Sequence, residues 1–236
     1  TKYGNASITY DTIGNMLSDG TWTYTWKQGR QLASMSGSGT WTFTYDANGM
    51  RTKRHSSEGT YTYVYNGGLL SRMGYDGVEL RFTYDASGKP LTVTYSGATY
   101  YYVLNLQGDV VAILNSSGTA VVTYTYDAWG IILDTTDSTA TVTTGTGAKL
   151  GLGALNPLRY RGYVFDRETG LYYLQSRYYN PTWGRFISAD NVMPDVGGDI
   201  LGYNLFAYCM NNPVNYADQG GNWPSWGTKL LIGTAV

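Results

Sequence analysis

The sequence predicts an all-β protein: a single antiparallel meander of hairpins laid side by side. Three observations carry that prediction: a turn motif that recurs, strict two-residue alternation beside it, and a composition rich in tyrosine and glycine. Of 236 residues, 24 are Tyr and 31 are Gly, the mixture that repeated strands and tight turns require.

The recurring motif is Y-D-x-x-G, at Tyr10 to Gly14 (YDTIG), Tyr45 to Gly49 (YDANG), Tyr84 to Gly88 (YDASG) and Tyr126 to Gly130 (YDAWG). Weaker copies stand between them at Thr25 to Gly29 (TWKQG), Tyr65 to Gly68 (YNGG) and Leu104 to Gly108 (LNLQG). Glycines thus return at intervals of about twenty residues, a period that calls for a repeat architecture. The Asp carboxylate can accept from backbone N–H groups two residues on, and Gly supplies the positive φ that closes the hairpin. A second class of turn, SGSGT, SSEGT and NSSGT, falls midway between the first. Each repeat therefore reads as strand, Y-D turn, strand, S-x-G turn.

The flanks alternate with period two. Trp22, Tyr24 and Trp26 oppose Thr21, Thr23 and Thr25; Trp41, Phe43 and Tyr45 oppose Thr40, Thr42 and Thr44; Tyr61, Tyr63 and Tyr65 oppose Thr60 and Thr62. Such an aromatic stripe is first a burial signal, with a sugar-stacking platform as the competing reading. Past the last repeat, Thr135 to Gly153 (TTDSTATVTTGTGAKLGLG) lacks aromatics and reads as a long connection.

Charge and rare residues exclude several functions. Net charge is −1 with 14% charged residues, which argues against a nucleic-acid partner. Cys209 is the one cysteine and His55, in the turn-like KRHSSEG, the one histidine. An intrachain disulfide is impossible, and a zinc site or a Ser-His or Cys-His catalytic set is all but excluded. No metal or cofactor is expected, and any catalysis must run on carboxylates, hydroxyls or arginines. The chain begins at Thr1 without an initiator Met or signal peptide, which reads as a piece of something longer. The closing TKLLIGTAV is apolar but too short to span a bilayer, and reads as the start of a further segment.

Asn156 to Asp190, NPLRYRGYVFDRETGLYYLQSRYYNPTWGRFISAD, packs five arginines and eight Tyr or Phe residues around Asp166, Glu168 and Asp190. Ion pairing within this mixed cluster is the expectation. With NLFAYCMNNPVNYADQGGN downstream, the block Asn156 to Asn222 resembles the RHS-associated core, and the Y-D units over roughly residues 8 to 132 resemble the repeats of the RHS/YD-repeat family. That family includes bacterial polymorphic toxins, the C components of insecticidal Tc complexes, and teneurins.

The resemblance implies a curved β-ribbon, part of a hollow RHS shell, with the core turning inward as a plug. It also implies a variable C-terminal toxin as enclosed cargo and a secreted or cell-surface location. The organisation it implies is a YD-repeat sheet over 1–134, a connection over 135–155, the core over 156–222, and the start of the cargo region over 223–236. Upstream repeats are then the natural partners of an open N-terminal edge, and open edge strands invite self-association.

Many members cut themselves once, just after the core, with two aspartates and a nearby arginine. Matched motif by motif, these fall on Asp190, Asp218 and Arg177, with the scissile bond between Asn222 and Trp223. Asn191 and Gln219 stand where proline is usual, and residues 191–203 (NVMPDVGGDILGY) lengthen the spacing. Against this stand a turn-capping role for Asp218 ahead of Gly220 and Gly221, and an ion pair of Asp190 with Arg177 or Arg185. The alternatives at the level of function are a shell fragment without cleavage and a secreted carbohydrate-binding or adhesive repeat domain.

Overall fold

The computed structural model describes residues 2–3, 6–139, 142–143, 149–190 and 204–222. Fourteen strands, from Thr9–Tyr10 to Ile132–Asp137, form one antiparallel sheet in which each strand pairs with its neighbours in sequence. The sheet stays open, with these two strands as its edges. Successive turns alternate between two ends of the meander, so every Y-D-x-x-G turn and all three weaker copies share one end, a rim.

At each Y-D turn one Asp oxygen accepts two backbone N–H groups. Asp46 Oδ1 takes those of Asn48 and Met50, both at 2.9 Å. Asp11, Asp85 and Asp127 repeat the pattern. The closing glycines have φ of 84° at Gly14, 82° at Gly49, 80° at Gly88 and 91° at Gly130, in the region glycine alone visits freely. Asn105 and Asn115 build the same turn, because an amide oxygen is an equivalent acceptor. NSSGT therefore belongs with the Y-D turns rather than with a second class. Two further tight turns, at Asp76–Gly77 and Ser96–Gly97, put both central residues at positive φ, the geometry that suits strand twist.

The pairing slips by one residue beside every Y-D turn. Thr44 faces Lys53 but Tyr45 faces Arg51, and the same shift occurs at Thr9/Tyr10, Thr83/Tyr84 and Thr125/Tyr126. Each extra residue sharpens the local twist. The motif tyrosine then reaches back to the neighbouring strand. Tyr45 Oη donates to Leu32 O at 3.0 Å, Tyr84 to Leu70 O at 2.7 Å and Tyr126 to Val110 O at 2.8 Å. The indole N–H of Trp26 does the same to Met16 O at 2.7 Å.

The aromatic face is the inner one. Tyr24, Trp41, Phe43, Tyr61 and Tyr63 are 2–4% exposed, while the opposing threonines face solvent. This stripe is buried in the main core cluster, which removes the surface a sugar platform would need.

What fills the hollow is the block after residue 150. A short helix, Leu152–Leu155, leads into a four-stranded antiparallel sheet of Val164–Asp166, Leu171–Tyr173, Tyr178–Asn180 and Arg185–Phe186. The block is tied to the rim turn by turn. Ala189 N donates to Gly14 O and Met16 N to Ile187 O, both at 3.0 Å. Arg51 N donates to Tyr173 Oη at 2.9 Å, and Gln175 Nε2 to Gly68 O at 2.9 Å. Arg161 N donates to Asp109 Oδ1 at 2.9 Å. Tyr160, Tyr172 and Tyr179 donate to the carbonyls of Ala128, Gly130 and Trp129, all at 2.8 Å. For the first and last Y-D turns both to reach so small a block, the sheet must curve around it, which is the inward-turning plug of the family pattern.

The ion pairing of Asp166 and Glu168 differs from expectation. Asp166 is fully buried and takes both terminal nitrogens of Arg51, one at 2.8 Å. Arg54 reaches Glu168 at 2.6 Å, and Tyr61 Oη donates to Glu168 at 2.7 Å. These carboxylates pair across to the sheet, and Arg167–Glu168 at 2.7 Å is the local contact that remains. Thr52 is the extra residue of its bulge, so Arg51 and Arg54 both turn inward, where Arg51 lies over Tyr173 and Tyr63 and Arg54 over Tyr61 and Trp41. Burial pulls the Arg51 guanidinium down, and Asp166, Tyr63 and Tyr178 together outweigh it, holding the group well above its ordinary value. Arg159 is spent on the carbonyls of Gly153, Ala154 and Asn156. His55 lies in the strand Arg51–Ser56 rather than in a turn, 2.7 Å from Thr60 Oγ1.

Removing one member of a buried charge pair strands the other in a low-dielectric site. Asp166→Asn should therefore lower stability by about 3–5 kcal/mol in denaturant unfolding.

Candidate functional site

Arg177 closes the turn between the second and third strands of the core sheet, where Leu174 N donates to Arg177 O at 2.9 Å and Gln175 sits at φ 63°. Asp190 follows the last core strand, and its N–H donates to Leu205 O at 2.9 Å. Asp218 lies beyond the Cys209–Asn211 turn, and its N–H donates to Tyr163 Oη at 2.9 Å. Tyr163 Oη is in turn 3.1 Å from Tyr208 Oη. All three predicted residues are buried, at 5%, 5% and 3% exposed for Arg177, Asp190 and Asp218.

They meet at one atom. Arg177 Nη2 is 2.8 Å from Asp190 Oδ2 and 3.7 Å from Asp218 Oδ2, so the two carboxylate oxygens lie no farther apart than those distances together. The guanidinium is stacked 3.6 Å over the centre of the Phe186 ring. Its Nη1 donates to Leu205 O at 3.0 Å, and its Nε to Gly221 O. One side chain thus holds both carboxylates and the main chain one residue before Asn222.

The electrostatics single out Asp218. Burial pushes Asp218 up from its ordinary 3.8 to about 6, against the lowering effect of Arg177 and of the Gly220 and Gly221 N–H groups, with Asp190 adding to the rise. Burial also lowers Arg177 below its usual value, despite the two carboxylates. A guanidinium with two carboxylates in a dry site favours one ion pair and one carboxyl that keeps its proton. Such a set can activate a water with one carboxylate and donate a proton with the other.

Trp223, Asn191 and the rest of 191–203 lie outside the described residues. Asn222 is exposed. It lines an open cleft of about 380 Å³ with Gln28, Arg30 and Tyr45 at the rim, while Gly221 beside it is buried. The chain therefore leaves the buried site within one residue. Tyr163 and the contacts of Gly220 and Gly221 escaped the sequence reading. The paired glycines were a usable signal, since adjacent glycines also mark close backbone approach.

The raised Asp218 value has a stability consequence whose sign is fixed. A carboxyl with a raised folded-state pKa adds stability below its ordinary value and loses it as pH rises through the folded value. Wild type should therefore lose stability relative to Asp218→Asn between about pH 4 and 6 and run parallel to it above, with a gap change on the order of 2–3 kcal/mol. Denaturant melts of both proteins from pH 3.5 to 8 check this.

Comparison with known proteins agrees with the fold. The family model described as Teneurin YD-shell matches residues 75–214. The tRNA nuclease WapA of Bacillus subtilis strain 168 is 38% identical over 233 residues, covering 94% of this chain and 9% of that protein. Toxin protein Tse5 of Pseudomonas aeruginosa is 42% identical over 65 residues, 28% of this chain and 5% of that protein. A chain in the crystal structure of TcdB2-TccC3-Cdc42 superposes with a TM-score of 0.68 at 21% identity, over 90% of this chain and 11% of its own length. The chain thus spans about a tenth or less of the length of these relatives. Repeats, plug and family match converge: the chain belongs to the teneurin YD-shell family, as an RHS/YD-repeat shell region of the kind shared by toxin-related proteins.

Proposed function

We propose that this chain is the C-terminal part of an RHS-type shell that encloses a toxin cargo, and that it cuts itself once between Asn222 and Trp223 to free that cargo. In this reading the wall ends with the edge strand at Asp137, three residues past the expected boundary, the plug takes in the helix Leu152–Leu155 and runs to Asn222, and the cargo begins at Trp223. Upstream repeats extend the wall from the edge strand Thr9–Tyr10. The toxin names and the secretion they suggest belong to the relatives and are carried over here as part of the proposal. The observation that carries the cleavage reading is the meeting of Asp190 and Asp218 on Arg177 Nη2.

The chemistry is a hydrolysis. Asp190, ion-paired to Arg177, takes a proton from a water whose oxygen adds to the Asn222 carbonyl carbon. Asp218, protonated, gives its proton to the Trp223 nitrogen as the C–N bond breaks. One water is consumed; the products are a carboxylic acid at Asn222 and an amine at Trp223, with Asp190 left protonated and Asp218 ionised, and the new acid then passes its proton to the amine. Because the reaction is intramolecular, positioning supplies much of its rate.

Intact-mass measurement on freshly folded chain tests this reading. A fragment ending at Asn222 and a peptide beginning at Trp223 should accumulate, and Asp190→Asn or Asp218→Asn should abolish both. Persistence of the cut in both variants would sink the reading. The pH dependence is a second check. With Asp218 near 6, the protonated fraction falls about tenfold per pH unit above that value, and the cleavage rate should fall with it.

A further inference from the structure

We infer that the turn Leu174 to Arg177 is a docking rail for Gly220 and Gly221, with Ser176 and Gly221 as positioning residues for the bond after Asn222. The inference rests on the cleavage reading above and names what holds the substrate stretch in place.

Two consecutive carbonyls are taken by consecutive residues of the turn. Gly220 O accepts from Ser176 Oγ at 2.7 Å and from Ser176 N at 3.3 Å. Gly221 O accepts from Arg177 Nε. On its other side, Gly220 N donates to Asp218 Oδ1 at 3.3 Å. A single residue is thus held between the rail and one of the two carboxyls. Because Arg177 also carries Asp190 and Asp218, rail and carboxyls are fixed relative to each other.

Gly221 lies flush on this rail and tolerates nothing larger. Its φ is 71°, and a Cβ there would fall 2.6 Å from Leu174 O, 2.8 Å from Ser176 Oγ and 3.1 Å from Arg177 N. Two of those three atoms are backbone, so they cannot swing aside. A side chain at 221 would lift the chain off the rail, and a displacement of about 1 Å is enough to cost a positioned reaction about a hundredfold. A capping turn for Asp218 needs none of this: its oxygen already finds Gly220 N without help from Ser176.

The test uses the full 236-residue chain, followed by intact mass for cleavage and by hydrogen exchange over residues 216–222 for docking. Ser176→Ala should slow cleavage about three- to tenfold, speed exchange in that peptide, and leave the melting temperature unchanged. Ser176→Thr should restore the rate, a rescue that a merely structural role would not produce. Gly221→Ala should slow cleavage at least a hundredfold. If Ser176→Ala cleaves and exchanges like wild type, the rail is overturned, whatever Gly221→Ala does to folding. If wild type itself does not cleave, the cleavage reading fails alone and exchange decides the rail: faster exchange in Ser176→Ala upholds it, and equal exchange overturns it.

Discussion

A one-layer sheet with an aromatic face has to hide that face in its own hollow. Everything else in this molecule follows from that constraint. Fourteen strands contribute an inner surface of Tyr, Trp, Phe, Leu and Val, each side chain adding about 1.5–3 kcal/mol when covered. The meander alone cannot cover them. The bulges beside the Y-D turns bend the ribbon, and the core block supplies the matter it bends around. Because that block is polar as well as aromatic, its polar groups need partners. Tyr160, Tyr172 and Tyr179 find theirs on rim carbonyls, and Asp166 and Glu168 on Arg51 and Arg54 of the sheet.

The same accounting of charge shapes the candidate site. Near the end of the core, one guanidinium faces two buried carboxylates. Full ionisation would leave a negative charge uncompensated away from water, and Asp218 absorbs the imbalance by holding its proton to about pH 6. Arg177 cannot be exchanged for lysine without loss, since its nitrogens are shared among Asp190, Asp218, Leu205 and Gly221.

How much of this was legible in the sequence depends on the range of the interaction. The Y-D turns were readable because Asp46 and Gly49 settle their geometry within five residues, and the alternating aromatics because burial imposes period two. The bulge at Thr52 was not readable, as nothing in RTKRHS distinguishes the extra residue; with it went the inward placement of Arg51 and Arg54. Their partner Asp166 is 115 residues from Arg51, and no local pattern encodes such a pairing. Asp190, Asp218 and Arg177 were named through the family resemblance and do meet. The docking of Gly220 and Gly221 on the Leu174–Arg177 turn was concealed by a turn-based reading of the two glycines.

The rim contacts also set an order of events during synthesis. Every hairpin can pair as soon as its two strands have left the ribosome, since all its ladder bonds are sequential. Its inner face, however, waits for tyrosines near residues 160–179, which are translated only after every strand of the sheet. Until they emerge, the ribbon is a nascent sheet with a wet aromatic surface and a free growing edge, the condition in which sheets aggregate. Closure depends on contacts of high sequence separation, which form slowly. The plug is therefore also the step that ends the nascent chain's vulnerability, and truncation anywhere before it leaves a sheet with no inside.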